Sequence, residues 1–200
     1  MKTIRLIQVI LFLMLALLQA GELEIGSVIP EKDFKMKDIS GIKINLNQVV
    51  KENGLLVIFS CNTCPWVLAW EDRYNTISES CRAKDIGFIT VNSNAAERNG
   101  VDSFELMVSH AQEKNYNFYY AMDGESILAN AFGATRTPHV FLFNNQGILV
   151  YRGAIDDNAR KADEVNNAYL MDSLDALKNG RDIKKSTSKA LGCSIKFAEK

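Results

Sequence analysis

Two cysteines stand at positions 61 and 64, separated by Asn62 and Thr63. They directly follow the apolar run Leu55-Leu56-Val57-Ile58-Phe59 and Ser60. Thiols at CxxC spacing can close on each other as a disulfide or share a metal ion. The thiolate is the reactive form in either case. A strand that hands over to a helix here puts the pair beside orphan N–H groups and the positive end of a helix dipole, which favour an anion. Zinc would need further ligands, and His139 is the one nearby candidate. A disulfide across so short a loop adds little chain-entropy stabilisation, so redox chemistry explains the pair better than stapling.

The flanking sequence predicts the elements that hold this pair. Residues 55–59 form an apolar run of the kind buried on both faces of a sheet. Pro65 follows Cys64 and fits near a helix start, where its missing N–H costs nothing. Val67, Trp70, Tyr74, Ile77 and Cys81 then recur at alternating steps of three and four, one apolar helix face. Upstream, Phe34, Met36 and Ile39, a Ser40-Gly41 turn and the alternating Ile42, Ile44 and Leu46 predict a hairpin. A short helical piece over 47–51 follows it.

Downstream, Ile86, Phe88, Ile89 and Val91 predict a second strand, and a helix follows with Asp102 as N-cap and Glu105 three residues on. A short strand over 118–121 and a short helix over 126–132, closed by Gly133, come next. Residues 139–143 and 148–151 predict an antiparallel hairpin around Asn144-Asn145-Gln146-Gly147. A last helix carries Val165, Tyr169, Leu170, Leu174 and Leu177 and stops at Gly180. Residues 181–200 read as a polar tail, apolar again only at Leu191 and Ile195 to Phe197. The order is mixed α/β, with a parallel portion, right-handed crossovers and a terminal antiparallel hairpin.

Two hundred residues suffice for one domain with a full core. The formal charge of −1 gives no basic patch for nucleic acid. Lys2 and Arg5 precede a ten-residue apolar run, Val9 to Leu18, too short to span a bilayer. Residues 1–20 therefore read as a secretory signal peptide cleaved after Ala20, leaving 21–200 as the domain with no stable membrane insertion. Export places the four cysteines in an oxidising compartment, the periplasm for a Gram-negative source and otherwise outside the cell.

With these elements in place, the sequence resembles the thioredoxin superfamily. Within it, the sequence is similar to the redoxin group of alkyl hydroperoxide reductase/thiol-specific antioxidant-like proteins. The resemblance is carried by Phe59-Ser60-Cys61-Asn62-Thr63-Cys64-Pro65-Trp66-Val67, by Val91-Asn92-Ser93-Asn94, by Phe132-Gly133-Ala134-Thr135-Arg136-Thr137-Pro138 and by 151–158. The ending Gly192-Cys193-Ser194-Ile195-Lys196-Phe197 matches that group as well. The resemblance implies a thioredoxin-like α/β fold: a mixed central sheet with flanking helices, an N-terminal hairpin extension, and a C-terminal helix plus tail. It implies a cis Thr137-Pro138 bond beside the dithiol, and it puts Asn92, Ser93 and Asn94 near Cys61. Gly153-Ala154 and Asp156 are expected to border the site.

Two departures bear on mechanism. The interior dipeptide is Asn62-Thr63 rather than Gly-Pro, and Leu55 stands where thioredoxin has a buried carboxylate. If Cys64 were a peroxidatic cysteine, Cys61 would occupy the place of the usual Thr or Ser. The expected function is thiol–disulfide exchange by an exported oxidoreductase. Cys61 is the expected nucleophile, the more exposed thiol with a lowered pKa, and Cys64 the resolving thiol. Trp66, Thr137 and Pro138 are expected to line the substrate groove. Partners are protein thiols and disulfides or a small peroxide, and neither metal nor organic cofactor is required. The alternatives are a peroxiredoxin-like thiol peroxidase and a non-catalytic binding module on the same fold. Cys81 reads as a buried core thiol, His110 as solvated, and Cys193 as a partner for Cys81, an additional resolving thiol or a free one.

Overall fold

The computed structural model describes residues 21–198. The expected signal peptide lies outside the described residues. Strands β1 (Met36–Asp38) and β2 (Lys43–Ile44) form the expected N-terminal hairpin, and the one-turn helix α1 (Leu46–Val49) follows. Asn45 caps α1 reciprocally with Gln48, a capping box. Strand β3 (Leu55–Ser60) leads to the dithiol. The single helix expected after it is in fact two. α2 (Pro65–Trp70) and α3 (Tyr74–Ala83) are joined by a 3₁₀ turn over Glu71–Arg73. The apolar face still runs through both, with Val67, Trp70, Tyr74, Ile77 and Cys81 all buried.

The chain continues through β4 (Gly87–Asn92), α4 (Phe104–Glu113), β5 (Tyr119–Met122), α5 (Ile127–Phe132) and β6 (Arg136–Thr137). The hairpin β7 (His139–Phe143) and β8 (Leu149–Gly153), the helix α6 (Tyr169–Lys178) and the short β9 (Cys193–Ser194) complete it. The main sheet has seven strands in the order β2-β1-β5-β4-β3-β7-β8. β3, β4 and β5 are parallel, and the remaining pairings in this sheet are antiparallel. This is the thioredoxin-like mixed sheet, with a separate two-stranded ladder of β6 and β9 beside it.

Every residue of β3 is buried, because helices cover both sheet faces. Alternation sends Leu56 and Ile58 toward α2, α3 and α6, where they meet Trp70, Tyr74, Leu170 and Leu174. Leu55, Val57 and Phe59 face the other way, toward Leu128 and Phe132 of α5 and Phe141 of β7. There the rings of Phe59, Phe132 and Phe141 pack edge to face at 5.2–5.7 Å. Each such side chain contributes about 1.5–3 kcal/mol by burial. The C-terminal end of β3, and hence the dithiol, is thus held from both sides.

Segments near each end of the described residues run along β8. Gly26 N–H donates to the Leu149 carbonyl at 2.9 Å, and Leu149 N–H donates to Ser27 at 2.8 Å. Further along the strand, Arg152 N–H donates to Ser186 O at 3.0 Å and Ser188 N–H to Arg152 O at 3.0 Å. Gly153, at φ +140°, lets this tail pass: a Cβ there would lie 2.3 Å from Ser188 Oγ. The expected polar tail is therefore a built part of the fold.

Candidate active site

The two sulfurs converge on one residue. Cys61 Sγ lies 3.4 Å from Thr137 Oγ1, and the Cys64 thiol donates to the Thr137 carbonyl at 3.1 Å. The Thr137-Pro138 bond is cis, as the resemblance implied. Cys64 is the N-cap of α2 with Pro65 at the first helical position. Both thiols are buried, Cys61 at 2% exposure and Cys64 at 5%.

The expectation that Cys61 is the more exposed thiol is not met. Cys61 is the deeper of the pair, three residues ahead of the helix cap, so the helix-start donors reach Cys64 instead. The Cys64 pKa is drawn down to about 4. The S–H of Cys61 acts first, and the Cys193 thiol and the N–H groups of Val67 and Cys193 add to it. Burial works in the opposite direction. Cys61 moves up, because its proton is shared toward Cys64, because it is buried and because the Asp102 carboxylate is close. The surroundings of the pair favour negative charge on Cys64 over Cys61.

A polar network that the periodicity did not predict fixes the loop between the cysteines. Asp102 is fully buried and accepts from Asn62 N–H at 2.8 Å, Asn92 Nδ2 at 2.7 Å and Asn94 Nδ2 at 2.8 Å. Asn62 also donates to the Val101 carbonyl at 2.9 Å and accepts from the Tyr120 hydroxyl at 2.8 Å. Arg98 reaches Asn92 Oδ1 at 2.8 Å and the Asp102 and Asp123 carbonyls at 3.0 Å. Asn92 and Asn94 are thus next to the dithiol loop, as the fold implied. Asp102 is not the cap of α4: Ser103 takes that position. The signal was available in the pair Asp102-Ser103, where two residues suit an N-cap and only one is needed.

The other residues singled out in the sequence lie around this centre. Trp66 is 37% exposed on the first turn of α2 and packs against Trp70 with ring centroids 6.0 Å apart. Thr137 and Pro138 are buried, and the backbone edge of Thr137 is paired with β9. Asp156 borders α2 rather than the sulfurs: it accepts from Trp70 Nε1 at 2.9 Å and pairs with Arg73. His110 is not solvated but binds the buried Glu71 at 2.8 Å, with Lys114 at 2.7 Å on the other oxygen. His139 faces Glu22 at 2.7 Å and lies away from any shared metal position with the cysteines. Among the described residues no cluster of three or more His, Cys, Asp or Glu could hold a metal ion.

All four thiols are free. Cys81 is a core residue on α3, where burial pushes its thiol up to about 12. Cys193 does not approach it. β9 pairs Cys193 with Thr137 in register, so this third thiol arrives beside Cys64.

A family model described as Redoxin matches residues 24–169. The chain belongs to the Redoxin family. Two solved structures resemble this redoxin over most of both chains. One, a conserved protein from Geobacillus kaustophilus, is 30% identical with a TM-score of 0.82, over 88% of this chain and 94% of that one. Another, a hypothetical protein from Sinorhizobium meliloti, is 26% identical with a TM-score of 0.81, over 89% and 97%. A peroxidoxin from Mycobacterium tuberculosis shares the fold at 11% identity and a TM-score of 0.61, over 80% and 98%. Among curated proteins, none matches this chain. The redoxin thus has the fold and general chemical class of a thiol oxidoreductase.

Proposed function

We propose that this redoxin is an exported thiol–disulfide oxidoreductase whose working couple is Cys61 and Cys64. The observation that carries this reading is the convergence of both sulfurs on Thr137, with the thiolate favoured on Cys64. In the reducing direction the Cys64 thiolate attacks a substrate disulfide and a mixed disulfide forms. Cys61, one turn of loop away, then attacks the Cys64 sulfur and releases the reduced substrate. In the oxidising direction the same steps run backwards. Residues 21–198 supply the thiols and the positioning network. Residues 1–20 support export through their basic start and short apolar core.

A second reading, reduction of a small peroxide, is favoured by one specific feature. β9 lies on the backbone edge at Arg136–Thr137 that an extended peptide would otherwise join. A protein substrate has to displace that strand, whereas a peroxide does not. In this reading the Cys64 thiolate becomes a sulfenic acid and condenses with a neighbouring thiol, releasing water.

A glutathione titration of the mature chain, read by alkylation and peptide mass spectrometry, tests the couple. A reversible Cys61–Cys64 disulfide with a potential between about −270 and −120 mV is the expected result. Failure of the pair to form reversibly at any poise would overturn the exchange reading. Saturable peroxide consumption by the same sample selects the second one.

A further inference from the structure

The tail carries a thiol to the site and anchors it on both sides. Gly192 sits so close to Thr137 that a Cβ would lie 2.3 Å from the Thr137 carbonyl oxygen, so a larger residue would lift the strand. Arg136 Nη1 donates to the Gly192 carbonyl at 2.9 Å. Beyond Cys193, Ile195 N–H donates to Thr135 O at 3.0 Å, and the Ile195 side chain is buried in the core. Lys196 N–H donates to Asn94 Oδ1 at 2.9 Å, and Ala96 N–H to Lys196 O at 3.0 Å. Between these anchors, Cys193 pairs with Thr137, the same residue whose carbonyl takes the Cys64 thiol. The Cys193 side chain packs on the core cluster that includes Cys64, its sulfur near the Trp66 N–H.

We propose that Cys193 is a third redox thiol, which captures Cys64 in an intramolecular disulfide in competition with Cys61. The proposal rests on the reading of Cys61 and Cys64 as a redox couple. Starting from the Cys61–Cys64 disulfide, the Cys193 thiolate attacks the Cys64 sulfur. The bond to Cys61 breaks as the Cys64–Cys193 bond forms, and Cys61 leaves as a thiolate that takes up the proton Cys193 gave up. No electrons are gained or lost overall. Starting from a Cys64 sulfenic acid made by a peroxide, Cys193 attacks the same sulfur and water leaves. Burial holds the Cys193 thiol above its ordinary value, so capture accelerates as pH rises.

Trypsin separates the thiols usefully. Cys61 and Cys64 fall in the peptide 52–73, Cys81 in 74–82 and Cys193 in 190–196. The full mature chain carrying Cys61→Ser is treated with one equivalent of hydrogen peroxide, blocked with iodoacetamide and digested without reductant. The expected product is a monomer in which 52–73 is linked to 190–196, and Cys61→Ser/Cys193→Ser lacks it and labels with dimedone at Cys64. Dimedone labelling or intermolecular dimers in Cys61→Ser itself, with Cys193 alkylated, would overturn the proposal.

The wild-type chain, held in a glutathione buffer, gives the same readout without a substitution. Both disulfide isomers are expected there, and complete alkylation of 190–196 at every poise would refute capture. The Cys193→Ser variant separates the two ideas. If it forms the Cys61–Cys64 disulfide while wild type never links Cys193, capture fails and the couple stands. If Cys193→Ser forms no disulfide either, the couple itself has failed.

Discussion

Replacing Asp102 with Asn tests the network that fixes the dithiol loop. In the native site one oxygen accepts from Asn62 N–H and Asn92 Nδ2, and the other from Asn94 Nδ2. An amide can keep the first oxygen, but its NH₂ then faces the Asn94 donor. One charge-assisted bond is lost, worth about 1.5–3 kcal/mol, and the two that remain become neutral bonds at roughly half strength. The sum is about 3–6 kcal/mol, comparable to breaking a buried ionic network. For a chain of this length that lowers Tm by about 6–24 °C. Urea unfolding followed by circular dichroism should show the midpoint fall at constant slope. The same substitution removes the carboxylate that helps to hold the Cys61 thiol up, so Cys61 should alkylate faster at neutral pH. A stability loss below about 1 kcal/mol would show that the carboxylate is not the acceptor these donors depend on.

Three further outcomes follow from the geometry. Cys64 should alkylate at a rate that is flat from neutral pH downward and falls only near pH 4, because the depressed pKa keeps it ionised; a midpoint near 8.5, the ordinary thiol value, would place the thiolate elsewhere. Gly192→Ala should lift β9 from Thr137, abolishing hydrogen-exchange protection at the Ile195 amide while the core amides of β3 stay protected; unchanged protection at Ile195 would contradict the close approach. The hydrogen bond from His139, helped by Arg152 and opposed by burial, holds the Glu22 carboxyl down to about 2 from an ordinary 4.5. Its stabilisation is therefore complete above pH 4.5 and lost as pH falls through about 2. Glu22→Gln should flatten the urea midpoint across that window, and an unaltered pH slope would refute the pairing.

The elements nearest the dithiol were the most legible in the sequence. The buried strand at 55–59, the apolar face from Val67 to Cys81 and the hairpin around Asn144–Gly147 each rest on a local pattern that tertiary packing only reinforces. The 3₁₀ turn at Glu71–Arg73 was not visible, because a helix break that preserves the apolar face leaves the spacing intact. Asp102 was misplaced for a related reason. Its sequence context fits a capping box, while the groups that donate to it lie in the dithiol loop and on β4. The position of Cys193 depends on a ladder to Arg136 and Thr137, more than fifty residues earlier. Only the apolar Ile195 and Phe197 hinted that the tail folds back. The relative depth of Cys61 and Cys64 depended on where the helix starts, which a CxxC spacing alone does not specify.

The strapping of β8 by segments 26–27 and 186–188 also governs how the molecule behaves in company. An outer strand with unpaired backbone groups is a template for a second chain. Here the rungs at Leu149 are taken by residues 26–27 and those at Arg152 by residues 186–188. At the opposite margin of the sheet, β2 is only two residues long and carries Lys43, a poor platform for addition. The sheet is thus closed off at one side by segments 26–27 and 186–188 and at the other by brevity and charge. Deleting the segment around residues 26–27 or that around 186–188 opens an addressable edge, and light scattering should then register self-association before unfolding.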